Sequence, residues 1–157
     1  MAEISIQVDC GNSPKKEFLK DYHVALANGD IDFVATNVAK DIHWEVIGGA
    51  FVNTKDDFLK AVQQFEQWNV KRLVIDTIIT HGIDASVNGQ IITQGDEHFV
   101  FCDIYKFKGF KGSVIKSIKS FIMKSSPWRS GDHNSQIEQL QAFLTSMTND
   151  NNADAKR

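Results

Sequence analysis

The sequence predicts an α+β domain in which three early helices pack on one face of a curved antiparallel or mixed sheet. Three observations predict it. Apolar residues recur at helical spacing over most of the chain as far as Trp68. After Asn69 the apolar period switches to two, with β-branched residues crowded into Val70–His81. The resulting order is helix, helix, strand, helix, then four strands, which is not the alternating βαβ pattern of a parallel sheet. Helices on one face of a curved sheet leave a concave space, a common position for a ligand.

Taken in order, residues 1–12 read as a flexible N-terminus, where Ile4, Ile6 and Val8 alternate over too short a span to establish a strand. Ser13 and Pro14 open the first helix as N-cap and first helical residue. Phe18, Leu19, Tyr22, Ala25 and Leu26 follow helical spacing, and Asn28-Gly29 ends the run. Asp30 caps a short second helix carrying Ile31, Phe33 and Val34. Residues 41–47 form a strand with Ile42, Trp44 and Val46 on one face and His43, Glu45 and Ile47 on the other. Gly48-Gly49 breaks it, and Thr54 caps a third helix striped by Phe58, Ala61, Val62, Phe65 and Trp68. Strands follow over Val70–His81, 85–93, 97–108 and 113–124. Asn88-Gly89 marks either a hairpin turn or a bulge.

Residues 13–124 thus make the main domain. Residues 125–132, with Trp128, read as a linker, 133–148 as a helix, and 149–157 as a polar, disordered tail. The helix carries Ile137, Leu140, Leu144 and Met147 along one stripe, which packs either on the parent domain or on a second subunit.

Composition narrows the function. A chain of 157 residues with 42% hydrophobic content supports one domain with a sizeable core. A net charge of −3 and the lack of a long basic run argue against nucleic acid. Cys10 and Cys102 do not form a disulfide framework and fit a reducing compartment. The first residues lack the basic start and apolar core of a signal peptide. No apolar run approaches the ~20 residues that span a bilayer. A soluble, cytoplasmic protein without membrane contact is expected.

The sharpest chemical signal lies in 97–108, EHFVFCDIYKFK. Phe99, Phe101, Asp103, Tyr105 and Phe107 share one face of the strand, so a single carboxylate sits among four aromatic rings. Burial there disfavours its charged form and raises its pKa. The alternative is a carboxylate near the sheet rim, satisfied by a neighbouring hydroxyl, amide or water. The five histidines, His23, His43, His81, His98 and His133, include no i, i+4 pair and no HExxH, and the cysteines no CxxC. No metal is expected. The histidines read as surface or hydrogen-bonded structural groups, with His81 placed to reach a pocket mouth. There is no nucleophile elbow and no dinucleotide-binding glycine frame.

The run FLKDYHVALANGDIDFVATNVAKDIHWEVIGG, the Thr54 helix and CDIYKFKGFKGSVIKSI together resemble the nuclear-transport-factor-2-like superfamily, and within it the SnoaL-like group of polyketide cyclases, near the ketosteroid isomerases. The resemblance spans residues 14–124 and rests on element order and a helix–GD–helix–DxxW–GG pattern. It implies a cone: a strongly curved sheet wrapped around the helices, an internal pocket, and a homodimer formed through the outer sheet face. It places an acidic catalytic residue at Asp103 and an oxygen-binding tyrosine at Tyr22. The isomerase's general base falls on Val46, which cannot abstract a proton, whereas a cyclase-like mechanism needs one acid–base group only.

The resemblance and the patterning together imply a pocket lined by Tyr22, Trp44, Val46, Phe65, Phe101, Tyr105 and Met123 that binds a small apolar or aromatic carbonyl compound. Asp103 would move a proton α to the carbonyl, Tyr22 would position or stabilise the oxygen, and no cofactor is required. The alternative is a non-catalytic ligand-binding or dimeric interaction module of the same fold.

Overall fold

Ser13, Asp30 and Thr54 start three helices, each accepting a backbone N–H near the helix start, from Lys16, Phe33 and Asp57 respectively. The first helix ends at Gly29, whose φ of 72° supplies the left-handed cap. The computed structural model describes residues 1–125 and 133–154. Its elements are β1 (Glu3–Ile6), α1 (Pro14–Asn28), α2 (Ile31–Thr36), β2 (Val38–Val46), β3 (Phe51–Val52), α3 (Lys55–Phe65), β4 (Val70–His81), β5 (Asp84–Thr93), β6 (His98–Phe107), β7 (Ile115–Ser125) and α4 (His133–Asp154).

The seven strands form one curved, open sheet in the order β1-β4-β5-β6-β7-β2-β3. Pairings β1–β4 and β2–β7 are parallel and the others antiparallel, so the sheet is mixed. The α+β cone holds, with two strands beyond those the patterning marks. Residues 1–12 are not a loose end. Glu3–Ile6 pairs with Arg72–Ile75 in β4, and Cys10 is buried. The second added strand, β3, folds back on β2 across the Gly48-Gly49 turn.

Asn88-Gly89 is not a hairpin turn, because β5 runs straight through it. The irregularity lies in the partner strand. Register shifts between the Ile75 and Thr77 pairings, which leaves Asp76 as the extra residue. The buried positions of β4 change phase there, from Leu73 and Ile75 to Ile78. A bulge of this kind bends and twists its strand.

The core lies between helices and sheet. Leu19, Tyr22, Val34, Ile42, Phe58, Ile75, Val87, Tyr105 and Ile115 are almost wholly buried. Phe18 of α1 joins α2 and β6 by stacking on Phe33 and meeting Phe107 edge-on.

Contacts divide the chain into two units, 1–126 and 127–157. In the second, α4 extends to Asp154, past the expected end at 148 and into the stretch expected to be disordered. Ile137, Leu140, Leu144 and Met147 are exposed on it, as is Phe143. The linker expected around Trp128 lies outside the described residues, apart from Ser125, which ends β7.

Candidate functional site

The period-two pattern of β6 holds in three dimensions. Phe101, Asp103, Tyr105 and Phe107 face the core, while Ile104 and Lys106 face outward. Cross-strand neighbours share a face. Asp103 therefore sits beside Val87 of β5 and Ser120 of β7. Opposite them, α1 presents Tyr22 and His23, both buried.

Between these elements lies an apolar cavity, with ≈ 70 Å³ of space open to the centres of water molecules. One water needs roughly 10–15 Å³ by this measure, so there is room for a handful of waters or one small organic molecule. Its apolar wall includes Leu26, Phe58, Val62, Leu73, Phe101, Ile118 and Ile122; the polar groups are Tyr22, His23, Asp103, Tyr105 and Ser120.

Those polar groups form a connected set with two loose ends. The Tyr105 hydroxyl lies 2.8 Å from His23 Nε2 and 3.3 Å from Asp103 Oδ2. His23 Nε2 is 3.7 Å from the same carboxylate oxygen, and its ring stacks on Phe101 at 5.1 Å. Trp44 donates its indole N–H to the Ser120 hydroxyl at 2.9 Å. Among the described residues, the Tyr22 hydroxyl and Asp103 Oδ1 have no hydrogen-bond partner, although both are buried. An unsatisfied buried polar group costs about 1–3 kcal/mol, so two at one cavity call for a ligand or water to satisfy them.

Burial sets the electrostatics. It pushes the Asp103 carboxyl up to about 6, opposed in part by the neighbouring hydroxyls of Ser120 and Tyr105, of which only Tyr105 lies in hydrogen-bonding geometry. Burial lowers His23 to about 3, so its imidazole is neutral at ordinary pH. Tyr22 and Tyr105 are raised above the usual phenol range by burial and then by the Asp103 charge. The site at neutral pH thus holds one buried carboxylate, one neutral imidazole and two phenols that keep their protons.

Five of the expected site residues converge on this cavity: Tyr22, Trp44, Phe101, Asp103 and Tyr105. Two do not. Met123 points to the outer sheet face and is 63% exposed, and the wall position belongs to Ile122. Val46 lines a neighbouring depression instead, with Phe51, Ala61 and Trp68. The Phe65 side chain lies outside the described residues. His81 is exposed at the end of β4, away from the cavity lining.

His23 is the polar cavity-lining residue that sequence reasoning set aside as structural. A signal existed: it stands four residues after Leu19 and three before Leu26, on the apolar face of α1. Among the described residues, no three His, Cys, Asp or Glu side chains converge as metal donors would. No described helix is long and apolar enough to cross a membrane.

Solved structures with this architecture identify the fold. An NTF2-like protein of unknown function from Cytophaga hutchinsonii matches 69% of this chain and 99% of its own, at 22% identity and a TM-score of 0.53. The fold is that of the nuclear-transport-factor-2-like superfamily. An epoxide hydrolase of the LEH-like kind from M. tuberculosis shares the NTF2-like architecture over 69% of this chain and 82% of its own, with 16% identity and a TM-score of 0.58. A candidate ketosteroid isomerase from Kribbella flavida matches 76% and 85%, with 15% identity and a TM-score of 0.59. No protein-family model and no curated protein matches the sequence.

Proposed function

We propose that this NTF2-like chain is a SnoaL-like protein that binds a small apolar or aromatic carbonyl compound in its internal cavity and moves a proton α to the carbonyl. One observation carries the reading: the unpartnered Tyr22 hydroxyl and Asp103 Oδ1 are two buried polar atoms at a single apolar cavity. A carbonyl compound would engage both, satisfying the Tyr22 donor and placing an acidic C–H beside the free Asp103 oxygen. Its oxygen accepts from Tyr22, and its acidic α C–H lies toward Asp103. The C–H bond breaks, the proton passes to Asp103, and the electron pair moves onto the oxygen as an enolate held by Tyr22. A phenol that keeps its proton suits this donor role, and a carboxylate raised to about 6 suits the base. The solved neighbours of hydrolase and isomerase type support a cavity that hosts chemistry. Val46 leaves no second carboxylate at the isomerase position, which favours single-base chemistry.

The test uses β-tetralone, an enolisable aromatic ketone, in D₂O. Exchange of its α-protons above the buffer rate, followed by NMR, is the expected result. Tight binding without exchange would instead favour the carrier or sensor alternative. Tyr22→Phe separates the site from the scaffold. It removes an unsatisfied hydroxyl, so the ligand-free fold should hold or gain up to about 1 kcal/mol. Exchange should fall by roughly tenfold, the worth of one hydrogen bond. A loss of both stability and activity would mean that Tyr22 is structural.

The outer sheet face supports a homodimer. Ile79, Ile104, Phe121 and Met123 are exposed there, and Val100 and Cys102 are half-buried. Sedimentation equilibrium at micromolar concentration should give twice the 17.6 kDa chain mass, and a monomer throughout would refute it. Cys10 and Cys102 are both unpaired, as suits a cytoplasmic protein.

A further inference from the structure

The buried cluster at the cavity contains groups that the proton transfer does not use, and His23 is the one among them that can titrate as a base. His23 lies against the phenol of Tyr105, not against the loose Asp103 Oδ1. Tyr105 has a single proton and two neighbours that could receive it, His23 Nε2 at 2.8 Å and Asp103 Oδ2 at 3.3 Å. The imidazole tautomer decides which one does. With the proton on Nε2, His23 donates to the Tyr105 oxygen, and Tyr105 donates to Oδ2. With the proton on Nδ1, Tyr105 donates to His23, and Oδ2 is left without that bond. A buried carboxylate short of donors is the costlier arrangement. The first arrangement satisfies all three groups in one chain.

We propose that His23 is a positioning residue: through the Tyr105 hydroxyl it holds one oxygen of Asp103 and leaves the other free for the ligand. The inference rests on Asp103 being the acid–base group of the site. The groups around the carboxylate permit the assignment. From α1 come Tyr22 and His23, from β6 Tyr105, and from β7 Ser120; β5 contributes Val87. His23 is held in place by its stack on Phe101, so its Nε2 can aim the phenol without becoming charged. Bonds accepted by the carboxylate favour its charged form, so the chain from His23 tunes how readily Asp103 takes a proton.

The sign of one measured change tests the wiring. The Asp103 carboxyl is titrated by ¹³C NMR in the whole protein, alongside His23→Leu, His23→Gln, Tyr105→Phe and the His23→Leu/Tyr105→Phe double variant. In His23→Leu the Tyr105 donor loses its polarising partner, and the Asp103 midpoint should rise by about one unit, tenfold in proton affinity. His23→Gln retains an N–H donor and should restore most of the shift. In the Tyr105→Phe background the His23 substitution should add little, because its path to Asp103 has gone. A falling midpoint in His23→Leu would mean that Tyr105 had been donating to His23, and the proposal would be wrong. An equal shift with and without Tyr105 would also overturn it, since His23 would then act directly. Should these variants not fold, the ¹⁵N shifts of His23 in the unmodified protein still decide: Nε2–H supports the chain and Nδ1–H refutes it. No substrate enters the measurement. An absence of ketone exchange would therefore count against the proposed chemistry alone, and an uncoupled titration against His23 alone.

Discussion

Asp103→Asn should abolish exchange of ketone α-protons while making the fold more stable at neutral pH. The amide cannot serve as base, and general-base assistance is worth about 10²–10⁴-fold, so the rate should drop by that factor. In the unmodified protein the carboxylate is the active form, so the rate should climb as pH rises through about 6 and then level off. Stability should run the other way. Burial raises the carboxyl in the folded state from 3.8 to about 6. Its contribution is therefore fully present below pH 4, where both folded and unfolded chains carry the proton. It is lost as pH rises from about 4 through 6, where folding must hold a buried charge. Two pH units correspond to about 3 kcal/mol at most. Asp103→Asn removes that cost, so denaturant midpoints of the two proteins should converge near pH 4 and separate by pH 8, the variant being the more stable. Unchanged exchange in the variant would remove Asp103 from the mechanism. A variant less stable at pH 8 would mean that its hydrogen bonds outweigh its desolvation.

The second large effect is structural and comes from a residue without a side chain. Gly89→Ala should cost about 3 kcal/mol or more, because overpacking against backbone has no cheap relief. A Cβ built on Gly89 would stand 2.0 Å from the Val74 carbonyl oxygen and 3.1 Å from the Phe101 ring. The first contact is with the main chain of β4 beside its bulge. The second is with a wall of the cavity. Thermal unfolding should therefore begin roughly 10 °C lower, taking about 3 °C per kcal/mol for a domain of this size. The Asp103 titration should also move, as Phe101 is displaced. An alanine variant with unchanged melting would show that the two strands can part there at little cost.

Much of this was legible in the chain. The capping residues Ser13, Asp30 and Thr54 act locally, within one helical turn, so their reading needs no tertiary contact. The face shared by Phe101, Asp103 and Tyr105 follows from strand periodicity alone. Tyr22 and Trp44 were reachable because the rest of their faces is apolar.

Other positions depended on partners far away in sequence. In β7 apolar residues occupy both faces, since Ile118 and Ile122 face inward and Phe121 and Met123 outward. Periodicity cannot orient such a strand, and a slip of one residue exchanges its faces. Pairing with β6 decides it: Phe101 aligns with Ile122 and Val100 with Met123. The phase change in β4 follows from a bulge opposite Asn88-Gly89, which no local pattern within β4 announces. The strand β1 exists because β4 offers an edge to a segment too short to be stable alone. The sequence by itself determined the α+β class, the helix starts and the face that Asp103 shares with Phe101 and Tyr105, while its burial came from the fold. The tertiary structure alone decided the register of β7, the bend in β4 and the placement of His23 against Tyr105. Helix caps and face periodicity are set by neighbours along the chain, whereas register and hydrogen-bonded clusters are set by residues that only folding brings together.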